Sequence, residues 1–360
     1  MYRAHNFSAG PSVLPDEVLA EIKNELFDFN NTGMSVMEIS HRSKQCIELF
    51  CETEELLKKS LNIPAGYSVL FMQGGARQQF TTVPLNLLTG SKKADFIHTG
   101  SWTKYAVKEA KKLGQANLLF NGEECKFKSI PDLKKINVPA DSDYIYICTN
   151  NTIEGTAVKS DNLPKTNIPL IADMSSNILG EEYDMSKFSL VFAGAQKNLG
   201  IAGVAVVILK DELIQKSPDN IPETLNYKTM KDAESMLNTP PVFAVYVLNK
   251  MLKWAERMGG IKEIEKINKQ KAAMLYEYID NSKLYSNDID KSCRSIMNVI
   301  FSLGSEEENK AFDKYATEKG FMFLKGHRSV GGMRASIYNA ASLKQVEALV
   351  ELMKEYELNI

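Results

Sequence analysis

At 360 residues, 44% hydrophobic and 24% charged, the chain has the composition of a globular protein with room for two domains. A formal net charge of −2 argues against a nucleic-acid or acidic-membrane partner, and no apolar run nears the roughly 20 residues that cross a bilayer. The opening "MYRAHNFSAGPSVLP" lacks a signal peptide's basic-then-apolar layout, and five cysteines fit neither CxxC nor zinc spacing; a reduced, metal-free, cytoplasmic protein is expected.

After an irregular arm, "PDEVLAEIKNELFDF" (15–29) predicts an amphipathic helix with Pro15 at its start, and a second helix follows over about 43–60. Short apolar runs then alternate with helical patterns. "YSVLFM" (67–72) reads as a strand leading into a helix from about Ala76 to Leu88. "ADFIHT" (94–99) precedes a helix over 101–114, and "ANLLF" (116–120), "DYIYICT" (143–149), "IPLIAD" (168–173) and "LVFAG" (190–194) are further strands. Such alternation implies an α/β domain with a mostly parallel sheet. The gap between "LVFAG" and "GVAVVIL" is too short for a crossover helix, so those two strands should pair antiparallel. From about Thr239 the texture changes. A long helix over 239–260 ends on a glycine pair that suggests a hinge. Beyond it come another helix, the strand "SIMNVIFSL" (295–303), a helix near 305–319, the stretch "GGMRASIY" (331–338) and a last helix from about Ser342 to Tyr356. This part reads as a smaller α+β domain.

Functional groups of an open α/β sheet gather beyond the carboxyl ends of its strands. Thr152, Asp173 and Lys197 each follow such an end. A lysine there is either a solvated turn residue or a nucleophile, and to form a Schiff base it must be partly desolvated. With pyridoxal phosphate as cofactor, a carboxylate must keep the pyridine nitrogen protonated, and Asp173 is the candidate. Asp173 alone could equally cap the segment "SSNIL". "MQGGARQQF" (72–80) supplies strand, glycines and helix start, the local requirement for a phosphate, with Arg77 beside it. Trp102 sits in a polar turn at another strand tip, where an indole can stack on an aromatic ring.

Of 43 basic residues only seven are arginine, and His41 and His327 each precede one of them, Arg42 and Arg328. With Arg334 they suit a doubly anionic substrate, because a guanidinium grips carboxylate or phosphate through two parallel bonds. The residues thus point to a pyridoxal-phosphate enzyme acting on a small anionic amino acid. A non-catalytic binder of phosphorylated metabolites would explain the arginines but not the ordered Thr152, Asp173 and Lys197.

The segments "NFSAGPSVLP" (6–15), "GMSVMEISHRSK" (33–44), "GGARQQF" (74–80), "ADMSSNIL" (172–179), "AGAQKNLG" (193–200), "NTPPVFAVY" (238–246) and "KGHRSVGGMRASIYNA" (325–340) occur in an order that resembles the phosphoserine aminotransferase family, class V of the fold-type-I pyridoxal-phosphate enzymes. The resemblance implies an arm over 1–15, a large cofactor-binding domain over 16–258 and a small C-terminal α+β domain over 259–360. It implies a cytoplasmic homodimer with shared sites, no nucleic-acid or membrane partner, and amino transfer between glutamate and 3-phosphohydroxypyruvate. It makes Lys197 the Schiff-base lysine, pairs Asp173 with the pyridine nitrogen, stacks Trp102 on the ring and gives Thr152 its phenolic oxygen. Ala76, Arg77 and Gln196 would cradle the phosphate, with Asn238 and Thr239 from the partner subunit. Arg334 would take the substrate's α-carboxylate; His41, Arg42, His327 and Arg328 its distal group. The chain departs from the family's N-E-T-I-x-G pattern by carrying Asn151 in place of the acid, and has Ala76 where some relatives have glycine.

Overall fold

The computed structural model describes residues 3–360, so the first two residues of the expected arm lie outside it. Its main sheet has seven strands: β1 (Tyr67–Gln73), β2 (Lys93–His98), β3 (Gln115–Asn121), β4 (Tyr144–Cys148), β5 (Leu170–Asp173), β6 (Leu190–Gly194) and β7 (Val204–Lys210). Their spatial order is β1-β7-β6-β5-β4-β2-β3. β7 runs antiparallel to both neighbours, as the short link after β6 requires, and the other pairs are parallel. Strands buried on both faces need unbroken apolar runs. β6 and most of β7 are accordingly buried throughout, while the edge strand β3 is largely exposed along its first residues.

Two apolar cores cover the sheet's faces. One packs Val69, Phe71, Ile145 and Val206 against α1 (Asp16–Glu25), α2 (Lys44–Ser60) and α5 (Val242–Arg257). The other packs Leu70, Phe96, Tyr146 and Phe192 against α3 (Gln79–Leu87) and α4 (Ser101–Ala110). The first helix stops at Glu25, short of the expected residue 29; Asp28 has already left helical backbone, and Asn30 and Asn31 beyond it are left-handed. The long helix expected from residue 239 begins at Val242, since Pro240 and Pro241 cannot donate the backbone bonds of a helix interior.

Gly259 and Gly260, both at positive φ, end α5 and start α6 (Gly260–Asn281) in one step. α6 buries Ile264 in the large core. Its later residues Leu275 and Ile279 enter a third core, with a small antiparallel sheet of β8 (Tyr285–Ser286), β9 (Asn298–Leu303) and β10 (Met333–Ser336). α7 (Glu306–Glu318) and α8 (Leu343–Leu358) complete this part. The N-terminal arm reaches it too. His5–Asn6 pairs in parallel with Phe321–Met322, and Phe7 is fully buried in the third core. No helix among the described residues is long and apolar enough to cross a membrane.

Candidate active site

The carboxyl ends of β1, β2, β4, β5 and β6 converge on a cavity of about 320 Å³. At its floor lies Lys197, 7% exposed, whose ammonium donates to Thr152 Oγ1 at 2.9 Å and stands 5.9 Å from the Trp102 ring centroid. The question of a solvated turn is settled by that burial. Ala195 N bonds to Val204 O, so the β6–β7 link folds inward, and the N-terminal arm crosses over it. Ser12 N donates to Gln196 O at 2.9 Å, and Ser12 Oγ donates to Lys197 O at 2.6 Å. A Cβ on Gly10 would lie 3.4 Å from the lysine's own Cγ, in ordinary contact, so the arm passes directly against the lysine.

Asp173, 5% exposed, closes β5 and lines the same cavity. Ser175 N donates to its Oδ1 at 2.9 Å, and the other oxygen accepts no hydrogen bond among the described residues. Burial pushes this carboxyl above its ordinary range, opposed by the Ser175 bonds and the charge of Lys197. A cationic ring nitrogen placed against the free oxygen would hold the acid ionised. Trp102, second residue of α4, has a buried Nε1 with no partner. Ala76 and Arg77, in the helical turn entering α3, and Gln196 line another wall. There the approach is close. A Cβ on Gly194 would fall 2.6 Å from Gln196 Oε1 and 3.2 Å from Ala76 Cβ, whereas the Gly75 Cβ position faces open space. Backbone N–H groups at such a helix start suit a phosphate.

Arg334, on β10, reaches in from the small sheet. Its Nη1 donates to Thr152 O at 3.3 Å, while its Nε is buried without a partner, so the fork keeps donors for an anion. His327 lines the cavity as well; burial, Arg334 and Arg328 hold its pKa below the ordinary imidazole value. Arg328 points away, into a neighbouring cavity of about 310 Å³ with Glu306, Asp313 and Lys325. His41 and exposed Arg42 sit in the turn before α2, outside the cavity of their own chain. Asn238 and Thr239 are also outside it, bonded to Gln73 Nε2 at 2.6 and 2.8 Å. The fold therefore brings Ala76, Arg77, Trp102, Thr152, Asp173, Gln196, Lys197, His327 and Arg334 together, and leaves five expected residues apart.

Several contributors carry no motif in the sequence. Asn150 donates to Ser176 Oγ at 2.7 Å and to Asn298 Oδ1 at 2.8 Å; Asn298 donates to Tyr338 OH at 3.2 Å, and that hydroxyl donates to Ala9 O at 2.9 Å. This buried chain ties the cavity's rear to the small sheet and the arm. Asn151, at the position of the family's acid, donates to Thr99 Oγ1 at 3.1 Å and Thr156 Oγ1 at 3.0 Å. An amide fits this pair of hydroxyls.

The Aminotransferase class-V profile matches residues 4–349. A phosphoserine aminotransferase of Bacillus cereus is 49% identical over 359 residues, 99% of each chain. The solved phosphoserine aminotransferase of Bacillus circulans subsp. alkalophilus superposes with a TM-score of 0.97 at 43% identity, covering 99% of both chains. That of Trichomonas vaginalis, described as PLP-bound, gives 0.93 at 36% identity and covers 98% of this chain and 100% of its own. With a matched profile over nearly its full length and relatives this similar, the chain belongs to the class-V aminotransferases and, within them, to the phosphoserine aminotransferase family.

Proposed function

We propose that this chain is a pyridoxal-phosphate-dependent phosphoserine aminotransferase, exchanging an amino group between L-glutamate and 3-phosphohydroxypyruvate to give 2-oxoglutarate and O-phospho-L-serine. Residues 16–258 form the cofactor-holding unit and 259–360 the smaller one. The observation that carries the reading is the convergence of Lys197, Asp173, Thr152 and Arg334 on one cavity. When bound, the cofactor supplies an electron sink for the bond at the substrate's Cα. Lys197 holds the cofactor's aldehyde carbon until a substrate amine replaces it. Once free, its Nζ would take the proton from the substrate's Cα and deliver it to the carbon two bonds away, across the nitrogen, as base and then acid. Thr152 fixes where that amine rests. Asp173, acceptor-only on its free oxygen, would keep a bound ring nitrogen protonated, and Trp102 would offer its indole to a ring face. The turn at Gly75–Arg77, with Gln196, binds the phosphate.

Arg334 orients the amino acid by its α-carboxylate, and His327 meets the distal anion. One pocket must accept both a γ-carboxylate and a phosphate. More cations than one chain brings to the cavity would serve that end, and this supports a homodimer. Phe27, Met34 and Met37 are 85%, 45% and 58% exposed on the stretch leading to His41 and Arg42. An apolar surface of this kind beside unused cations suits a second copy of the chain, whose cavity they would complete along with Asn238 and Thr239. The reaction belongs to serine biosynthesis, in the cytoplasm.

The test is the visible absorption of the purified protein with pyridoxal phosphate, before and after adding phosphoserine. Conversion of the lysine-bound band to that of pyridoxamine phosphate supports cofactor, lysine and substrate together. A band that phosphoserine leaves unchanged discards the substrate, and no band discards Lys197. Sedimentation at micromolar concentration tests the dimer.

A further inference from the structure

The five-residue turn Asn151–Gly155, closed by Gly155 N donating to Asn151 O at 2.8 Å, meets three cavity residues by three routes. Its Thr152 hydroxyl accepts from Lys197, its Thr152 carbonyl accepts from Arg334, and its Glu154 side chain reaches the helix that carries Trp102. Glu154 Oε1 accepts from Ser101 N at 2.8 Å and from Ser101 Oγ at 2.6 Å. Ser101 is the first residue of α4, and Trp102 the second.

Most helices are capped by the residue just before them, which stabilises the helix and nothing else. Here that residue is Gly100, without a side chain, and the acceptor comes from 53 positions away. The exchange is enforced sterically. A Cβ on Gly100 would stand 2.5 Å from Asn151 Oδ1 and 2.6 Å from Glu154 Oε2. Glu154 is 5% exposed, and its second oxygen is buried without a partner. A carboxyl is thus kept in a costly place to make two bonds between the turn of Thr152 and the start of α4.

We propose that Glu154 is a positioning residue for the amino transfer: by gripping Ser101 it holds the first turn of α4, and so the Trp102 ring, in fixed relation to Thr152 and Lys197. The proposal rests on the reading of the cavity given above. Without the grip, what joins the helix start to the turn among the described residues is the Asn151–Thr99 hydrogen bonding and the packing of Gly100 on Asn151. The ring face offered to the cofactor then drifts against the lysine. A displacement near an ångström at a reacting centre costs on the order of a hundredfold in rate, so even partial drift is measurable.

The experiment compares Glu154→Ala, Glu154→Gln and Ser101→Ala with the unaltered protein. The readouts are pyridoxal phosphate affinity of the apoprotein by tryptophan fluorescence, the circular dichroism of the bound cofactor, kcat and KM, and Tm. Glu154→Ala is expected to weaken cofactor binding and lower kcat, each about tenfold or more, with KM changing less and the visible dichroism reduced. Glu154→Gln is expected to stay near the unaltered values, since its amide oxygen can accept both Ser101 bonds. Were Glu154→Ala to lower Tm alone, with affinity, kcat and dichroism intact, Glu154 would be only a cap. Glutamine as damaging as alanine would equally overturn the proposal. Should Glu154→Ala not fold, Ser101→Ala removes just the hydroxyl bond; smaller losses in the same direction support the grip, and unchanged affinity and kcat refute it. Failure of the unaltered protein to bind pyridoxal phosphate would instead sink the reading of the cavity.

Discussion

Lys271, on α6, is a second buried lysine with a different task, and replacing it by methionine is a sharp test of the packing described here. Its side chain is fully buried, and Nζ donates to Ile337 O at 3.0 Å, Tyr338 O at 2.8 Å and Ala341 O at 2.9 Å. Those carbonyls belong to the segment after β10, whose Asn339 N donates to Asn198 Oδ1, next to Lys197, at 3.0 Å. Methionine fills the space but donates nothing. Three stranded carbonyls cost about 1–3 kcal/mol each, and relief from burying an ammonium offsets part of this. The expected net loss is on the order of 2–4 kcal/mol. A pH signature accompanies it. Burial pulls the Lys271 pKa from 10.5 down to about 7. Between those values the unfolded chain binds more protons than the folded one, so this residue's contribution to stability rises with pH and is smallest below 7. The margin of the unaltered protein over Lys271→Met should therefore widen as pH goes from about 7 to 10. Urea midpoints at several pH values measure it. Equal midpoints, or a margin that narrows with rising pH, would refute the reasoning.

Lys197→Ala should abolish transamination while leaving urea stability near that of the unaltered apoprotein; a variant keeping most of its rate would remove the lysine from the chemistry. Arg42→Ala should raise KM more for the phosphorylated substrate than for glutamate, and equal rises would mean that Arg42 does not read the distal group. His327 titrates below the ordinary 6.5 because burial and two arginines disfavour its cation, so KM for glutamate should fall as pH drops through that region. Glutamate's own γ-carboxylate is ionised throughout it. His327→Asn should flatten the profile, and persistence of the slope would assign it to another group.

The strands were legible because β-branched runs of four to seven residues need only local information, and the tips of β4, β5 and β6 then located Thr152, Asp173 and Lys197. Helix ends were less so. α1 stopped four residues before its periodicity did, and the proline pair before α5 moved its start. Lys271 could have been found, since it falls on the stripe of Ile264, Leu275 and Ile279 that α6 buries. Glu154, Ser175 and the Asn150–Asn298 chain could not. Their roles depend on contacts between segments far apart in sequence, which leave no period or spacing to read. Likewise, a single chain's pattern of "HR" pairs does not tell which pair enters its own cavity.

The arm over residues 5–12 has a consequence for how the protein is made. Those residues leave the ribosome well before residues 196–338, yet they bond to Gln196, Lys197, Gly320, Met322 and Tyr338. At roughly 5–20 residues per second, the last of these partners emerges roughly a quarter of a minute to a minute after the arm. Until then only Ser12 has its partners, Gln196 and Lys197, and residues 5–9 lack theirs even if the large sheet has already folded. The cavity is therefore completed by residues made early that settle late, when Tyr338 and the strand at Phe321–Met322 arrive to hold them.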